Sequence, residues 1–312
     1  LIHWDNCSDF KTGVAWSYTT KYSNMDILTV TCDRDKAMQR LQSHSIDMFV
    51  TSPCTHWVVI ESSEWSPDQW NEYLAPYYTK HSLRIINVPR DTDLTVEGWV
   101  HQQIIKLNVS KILEIDSYLC LDSKNFFVQP IDLAEWPVYE GNNTHCVPDV
   151  EDGKWYPWLD YVKQLTGQAT EDMIFWHPET PFVIRMAAMQ KLHNAINVNN
   201  VFLNFKSGAQ SEFMLYRYFS ETLPVVYTDS KNHKNVQIFW DTEQLPLPEH
   251  LDDYLTDVKL FLFGFHHRSL VEEDVRIHST IQWLMDHKFD NEVVYSAFTS
   301  FLPNSQEVVD NR

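Results

Sequence analysis

EIDSYLCLDSKNFFVQPIDL, residues 114–133, decides the fold. Residues 118–121 form a nearly unbroken apolar run that closes on Asp122. A strand of that composition is buried on both faces, as in the middle of a parallel sheet. Asp122 then stands at the strand's C-terminal edge, where open α/β sheets bind their ligands.

Upstream, Thr95 can cap a helix through GWVHQQIIKL, residues 98–107. Val100, Ile104 and Leu107 recur at i, i+4 and i+7 and form its sheet-facing stripe, with Trp99, Gln103 and Lys106 on the neighbouring one. Further upstream, Asp26-Ile27-Leu28-Thr29-Val30-Thr31 is a β-branched run closed by Cys32-Asp33-Arg34-Asp35. A helical pattern through Met38, Leu41 and Ile46 follows. A second strand, His56-Trp57-Val58-Val59-Ile60, leads to Ser66-Pro67, a capping serine with proline at the first helical position. A third, Leu83-Arg84-Ile85-Ile86-Asn87-Val88, ends at Pro89. Short apolar strands alternating with amphipathic helices predict an α/β fold with a mainly parallel central sheet flanked by helices.

Downstream, residues 137–180 are rich in Trp, Pro, Asn and Asp and carry few periodic runs. They read as a long excursion flanking a binding cleft. Its tryptophans, Trp155, Trp158 and Trp176, either stack on sugar rings or fill the core. Phe182-Val183-Ile184 resumes the sheet, a helix runs through Ile196, and Ser211 opens another. A strand at 236–240, an apolar run at 258–265 and a terminal helix near 281–285 complete the reading. The expected organisation is an N-terminal extension (1–24), one α/β domain (25–228) and a C-terminal extension (229–312) packed on it.

Lys plus Arg number 24 and Asp plus Glu 43, a formal charge of −19 over 312 residues. Such a surface repels phosphate backbones and anionic lipid, so nucleic acid is a poor partner. No apolar run approaches the roughly 20 residues of a membrane helix. Seven glycines stand where average usage gives roughly 22, and none are spaced as G-x-G-x-x-G or a P-loop. A phosphate ligand must therefore be held by side chains, a metal or helix N-termini. Five cysteines without a C-x-x-C pair argue against both a disulfide scaffold and a zinc ribbon, and a reducing compartment fits best. The N-terminus shows no basic-plus-apolar secretory pattern.

Residues 114–133 resemble the nucleotide-sugar motif of GT-A glycosyltransferases, in which a strand delivers Asp-x-Asp. Here Asp122 is followed two residues later by Lys124. GWVHQQIIKL (98–107), LDSKNFF (121–127), Thr180-Pro181-Phe182-Val183 and SEFMLYRYF (211–219) come in the order of a phage and bacterial family of uncharacterised GT-A-like proteins that carry Asp-x-Lys-Asn. The resemblance spans Asp26 to Phe219, about two-thirds of the chain. It implies a GT-A-like, Rossmann-like fold and transfer of a sugar from a nucleotide-diphosphate donor to a carbohydrate or other hydroxyl acceptor, in the cytoplasm of a bacterium or phage-infected cell. Implied for donor binding are Asp33, Arg34, Gln102, Gln103, Lys106, Asp122 and Lys124, with Lys106 sixteen residues before Asp122 as in glycogenin-type transferases. Trp155, Trp158 and Thr180 fall to the acceptor side.

In that fold the acidic pair holds Mn²⁺ or Mg²⁺, so Asp122 and His266 are the metal candidates. An ammonium at Lys124 could take over part of the metal's charge. Glu212, a first-turn acid on an apolar helix face, is the candidate general base, or else a dipole-stabilised helix start. Asp122 also reads as a turn-capping carboxylate, and Gln102, Gln103 and Lys106 as a solvated polar face. Two rival functions remain: a non-catalytic sugar-nucleotide or glycan-binding module, and a nucleotidyltransferase.

Overall fold

The computed structural model of the chain describes residues 25–61, 64–88, 98–136, 138–140, 161, 164–165, 180–203, 212–219, 224–226, 236–239, 247–255, 262–265 and 275–299. The strands are β1 (Asp26–Thr31), β2 (Thr55–Glu61), β3 (Ser82–Val88), β4 (Ser117–Asp122), β5 (Asn125–Phe127), β6 (Val138–Glu140), β7 (Phe182–Arg185), β8 (Pro224–Val226), β9 (Val236–Phe239) and β10 (Leu262–Phe265). The helices are α1 (Lys36–Phe49), α2 (Pro67–Leu74), α3 (Gly98–Asn108), α4 (Met186–Ala195), α5 (Val198–Leu203), α6 (Glu212–Phe219), α7 (Leu251–Leu255), α8 (Val275–His287) and α9 (Asn291–Thr299). The central sheet has five strands in the order β3-β2-β1-β4-β7. β1, β2 and β3 run parallel, with Val30 opposite Val59 and Val58 opposite Ile85. The architecture is α/β with a mainly parallel sheet flanked by helices.

The described residues divide into two compact units, one drawn from 22–89, 119–136 and 228–312, the other from 90–118 and 137–227.

In the first unit, strand-forming β-branched residues are buried along β1, where Ile27, Leu28 and Val30 are shielded from water. α1 turns Met38 and Leu41 into a core shared with Phe126 of β5 and Phe265 of β10. The other side of that core is closed by Trp283 and Leu284 of α8 and by Val293, Val294 and Ala297 of α9. Residues beyond 228 thus complete the apolar cluster on α1. α9 escaped the sequence reading because its apolar pattern spans barely two turns. Its start was marked by Asp290, whose Oδ1 accepts from the Glu292 N–H at 2.9 Å.

α2 begins as its sequence dictates. Ser66 Oγ accepts from the Gln69 N–H at 3.2 Å, Gln69 Oε1 accepts from the Ser66 N–H at 2.9 Å, and Pro67 takes the first position. This reciprocal cap presents Trp70 and Leu74 to Val58 and Ile60 of β2. Ser66→Ala is expected to cost about 1 kcal/mol by urea unfolding, the worth of an N-cap. An unchanged midpoint would mean that packing of Trp70 alone holds α2.

In the second unit, Val100, Ile104 and Leu107 of α3 are buried as the 3.6-residue period requires. Phe182 of β7 stacks on Phe213 of α6 with ring centroids 4.5 Å apart. The Tyr216 hydroxyl accepts from the Arg185 N–H at 2.8 Å, fixing the end of β7. The Thr180–Pro181 peptide is cis.

Candidate functional site

From β1 the chain builds outward through β2 to β3 and then returns to lay β4 on the other side of β1. That reversal is a topological switch point, where α/β sheets place their ligand crevice at the carboxyl ends of the strands. The residues there are Cys32-Asp33-Arg34-Asp35 after β1 and Asp122-Ser123-Lys124-Asn125 after β4. Both belong to the first unit, and they interlock. Lys124 Nζ donates to Asp35 Oδ2 at 2.6 Å and Ser123 Oγ donates to the same oxygen at 2.8 Å. Arg34 Nε reaches Asp35 Oδ1 at 3.4 Å. Burial works to raise the Asp35 carboxyl, but the Lys124 ammonium and the hydrogen bonds from Lys124 and Ser123 outweigh it and hold it below the usual carboxylate range.

The β4–β5 turn is itself held from below. Gln42 of α1 donates through Nε2 to the carbonyl oxygens of Asp122 and Asn125, at 2.6 and 2.7 Å. Asn125 Oδ1 accepts from the Asp122 N–H at 2.9 Å, and the Lys124 carbonyl accepts from the Phe265 N–H at 3.2 Å. Because Gln42 spends both amide hydrogens on these carbonyls, its Oε1 must accept, from Gln39 Nε2 (2.9 Å) and Thr29 Oγ1 (2.8 Å). Thr29 has then used its hydrogen, so His56 Nε2 must donate to Thr29 Oγ1, 3.0 Å away. His56 Nδ1 meets the Tyr78 hydroxyl, which also contacts Ser43 Oγ at 2.8 Å. Burial pushes the His56 imidazole down to about 3, with the charge of His81 adding to it, so the ring is neutral. A chain of polar side chains, buried at Ser43, His56, Thr29 and Gln42, therefore runs from the half-buried Tyr78 to the turn that carries Asp122.

The second unit holds a separate cluster. Lys106 of α3 and Glu212 of α6 form an ion pair of 2.9 Å, with both side chains more than nine-tenths buried. Lys106 Nζ also lies 5.2 Å from the centre of the Phe213 ring. Gln103, one turn before Lys106, accepts the Glu212 N–H at its Oε1 at 3.0 Å. Its Nε2 is buried without a hydrogen-bond partner. The polar stripe of α3 is thus an interior surface, and the solvated alternative for Gln103 and Lys106 falls. Glu212 is a committed ion-pair partner: serving as a base requires that Lys106 first be drawn away.

Of the other residues chosen from sequence, Gln102 is half-buried and Thr180 buried. Asp33 Oδ2 accepts the Glu64 N–H at 2.7 Å. Trp155, Trp158, Trp176, Ser211 and His266 lie outside the described residues, as does the expected cap Thr95. Among the described residues no group of three or more His, Cys, Asp or Glu side chains is arranged to hold a metal, and no helix is long and apolar enough to cross a membrane. Cys32 and Cys54 are free thiols. Sequence reasoning did not find Gln42 or His56, and it gave Asp35 no partner. Their one legible signal was polar residues inside otherwise apolar stretches.

The sequence profile of DUF6492, a family of unknown function, matches residues 20–252. This chain belongs to that family. The match takes in the switch-point turn, the relay beneath it and the Lys106–Glu212 pair, so all three lie within the DUF6492 region, while α8 and α9 follow it. No curated protein matches the sequence.

Proposed function

We propose that this DUF6492 chain is a GT-A-like glycosyltransferase that takes a sugar from a nucleotide-diphosphate donor and passes it to a hydroxyl acceptor. The observation that carries the reading is the braced Asp122-Ser123-Lys124-Asn125 turn at the switch point of a parallel sheet, where an anionic nucleotide would bind. Gln42, Asn125 and Asp35 restrain the turn before any ligand arrives, and such preorganisation lowers the ordering cost of binding. Asp122 is the partly exposed carboxylate of that turn. Mg²⁺ is commonly held by one or two carboxylates together with substrate phosphates. Asp122 therefore fits a cation jointly with the donor, whereas Asp35, locked to Lys124 and Ser123, is not available to one. A divalent ion there would neutralise charge on the departing diphosphate. The Lys124–Asp35 pair keeps a fixed ammonium beside the turn with its charge already balanced, so Lys124 acts first as a brace.

The test is a thermal-shift panel of nucleoside-diphosphate sugars, with and without Mn²⁺, on wild type and Asp122→Asn. A ligand at about 100 times its Kd stabilises by about 2.7 kcal/mol. At least one donor is expected to raise the wild-type melting temperature, the rise is expected to shrink in Asp122→Asn, and turnover with an acceptor is expected to release nucleoside diphosphate. No shift with any donor would sink the reading. Binding without turnover would leave a sugar-nucleotide-binding module, and release of pyrophosphate a nucleotidyltransferase.

A further inference from the structure

The face that α1 lays against β1 is polar, where the inside of an α/β layer is ordinarily apolar. Thr29 and Thr31 share one face of β1 as alternate residues. Gln39, Gln42 and Ser43 share one face of α1, and all five residues are fully shielded from water. Polar groups persist in such a place when they have partners, and Gln42 has a complete set. Its Nε2 gives one hydrogen to the Asp122 carbonyl and one to the Asn125 carbonyl, while its Oε1 receives one from Thr29 Oγ1 and one from Gln39 Nε2. An amide has two hydrogens and two lone pairs, so nothing is left over.

Asp122 and Asn125 stand at the two ends of the turn. A single nitrogen that holds both carbonyls fixes the width of the turn, and with it the Ser123 and Lys124 side chains that reach Asp35. The clamp works in one sense only. Turned over about its last side-chain bond, the Gln42 amide would set its oxygen against two carbonyl oxygens and its hydrogens against those of the Gln39 amide.

Two donors enforce that sense, and they are not equal. Gln39 directs Nε2 at Gln42 while its own Oε1 is buried without a hydrogen-bond partner, an orientation that leaves an acceptor unmet at a cost. Thr29 is complete. His56 Nε2 donates to its Oγ1 at 3.0 Å, and its one hydrogen goes to Gln42 Oε1 at 2.8 Å. As a β-branched residue it also has few side-chain rotamers to choose from. We propose that Thr29 is a positioning residue of the switch-point turn: its hydroxyl sets the sense of the Gln42 amide, and through Gln42 it holds the turn from Asp122 to Asn125 at one width. That the turn receives a nucleotide diphosphate rests on the transfer reading; that Thr29 holds it does not.

The experiment compares Thr29→Val, which keeps the shape and removes the hydroxyl, with Thr29→Ser, which keeps the hydroxyl and removes the methyl. Backbone amide exchange of the full chain is followed by mass spectrometry at peptides covering residues 121–127 and, as a reference within the same unit, α8. Thr29→Val is expected to speed exchange at the turn about fivefold relative to α8, the worth of one hydrogen bond. Thr29→Ser is expected to leave that ratio as in wild type. A residue that only packs would give the opposite order, since serine leaves the space of the methyl empty. Where a nucleotide sugar turns over, its kcat/KM is expected to fall about fivefold in Thr29→Val and to recover in Thr29→Ser. Should Thr29→Val not fold, NMR of the wild type decides: both Gln42 side-chain amide hydrogens, buried and bonded, are expected to exchange far more slowly than those of the exposed Gln69.

The proposal is overturned if the turn exchanges alike in Thr29→Val and wild type, or if Thr29→Ser loosens it as much as Thr29→Val. It is equally overturned if the Gln42 hydrogens exchange like exposed ones, or if a nucleotide sugar turns over alike in all three proteins. A turn that loosens as expected in a chain that binds no nucleotide sugar would sink only the transfer reading.

Discussion

Lowering the pH from 7 to 4 is expected to cost the native state about 3 kcal/mol through His56 alone. The sign follows from where the proton goes. The unfolded imidazole takes a proton near pH 6.5, whereas in the fold burial holds His56 at about 3. Between those values the unfolded chain binds the extra proton, so stability is complete above about pH 6.5 and falls as the pH drops towards 3. His44, His81 and His193 are also lowered by burial and add to the slope in the same direction. Asp35, held below its usual range, adds a further loss that sets in as the unfolded carboxyl takes up a proton near pH 4 and is complete once the folded carboxyl is protonated too.

Urea unfolding of wild type and His56→Gln at pH 7 and pH 4 separates these contributions, because only the pH-dependent difference within each protein is compared. The difference is expected to be smaller in His56→Gln by about 3 kcal/mol. The ring resonances of His56 in the folded wild type should also stay unmoved down to about pH 4, a check that needs no variant. Equal pH losses in the two proteins, or a ring that titrates near pH 6, would mean that the relay beneath the Asp122 turn is open to water.

Lys106→Met is expected to destabilise the chain by about 3–5 kcal/mol, since it deprives a buried carboxylate of its ammonium. Both side chains are under a tenth exposed, so solvent screening recovers little. Glu212→Leu is expected to cost a similar amount by stranding the ammonium. Lys106→Met combined with Glu212→Leu should regain most of the loss, because a buried ion pair replaced by packed apolar groups is often near neutral. The Phe213 ring, whose centre lies 5.2 Å from Lys106 Nζ, gives the introduced thioether an apolar neighbour. A double variant as unstable as the sum of the singles would show that the two charges are not coupled. Single variants within about 0.5 kcal/mol of wild type, the range of ordinary surface changes, would place the pair in solvent.

Much of the fold was legible because local composition and period dictate it. The apolar run of β4 could only be buried on both faces, and it is, with residues 118–121 shielded from water. Ser66-Pro67 carried its own helix start, and the β-branched residues of β1 their own strand. The resemblance through Asp122-Ser123-Lys124-Asn125 drew attention to the turn that the sheet then placed at its switch point. Periodicity also put Gln103 and Lys106 on one face of α3, but a period says which residues share a face, not what that face meets.

Sequence by itself determined the five strands of the central sheet and most helices, since these depend on contacts between near neighbours and on the ratio of apolar to polar residues along a few turns, whereas the short strands β6 and β8 were not legible in it. Only the tertiary structure decided the partners of the polar groups. Lys124 meets Asp35 from 89 residues away, Gln42 meets Asn125 from 83, and Lys106 meets Glu212 from 106. Each pairing exists because burying a charge or amide is costly until a complementary group satisfies it, and which group arrives is set by how the chain returns to the sheet rather than by any residue's neighbours in sequence.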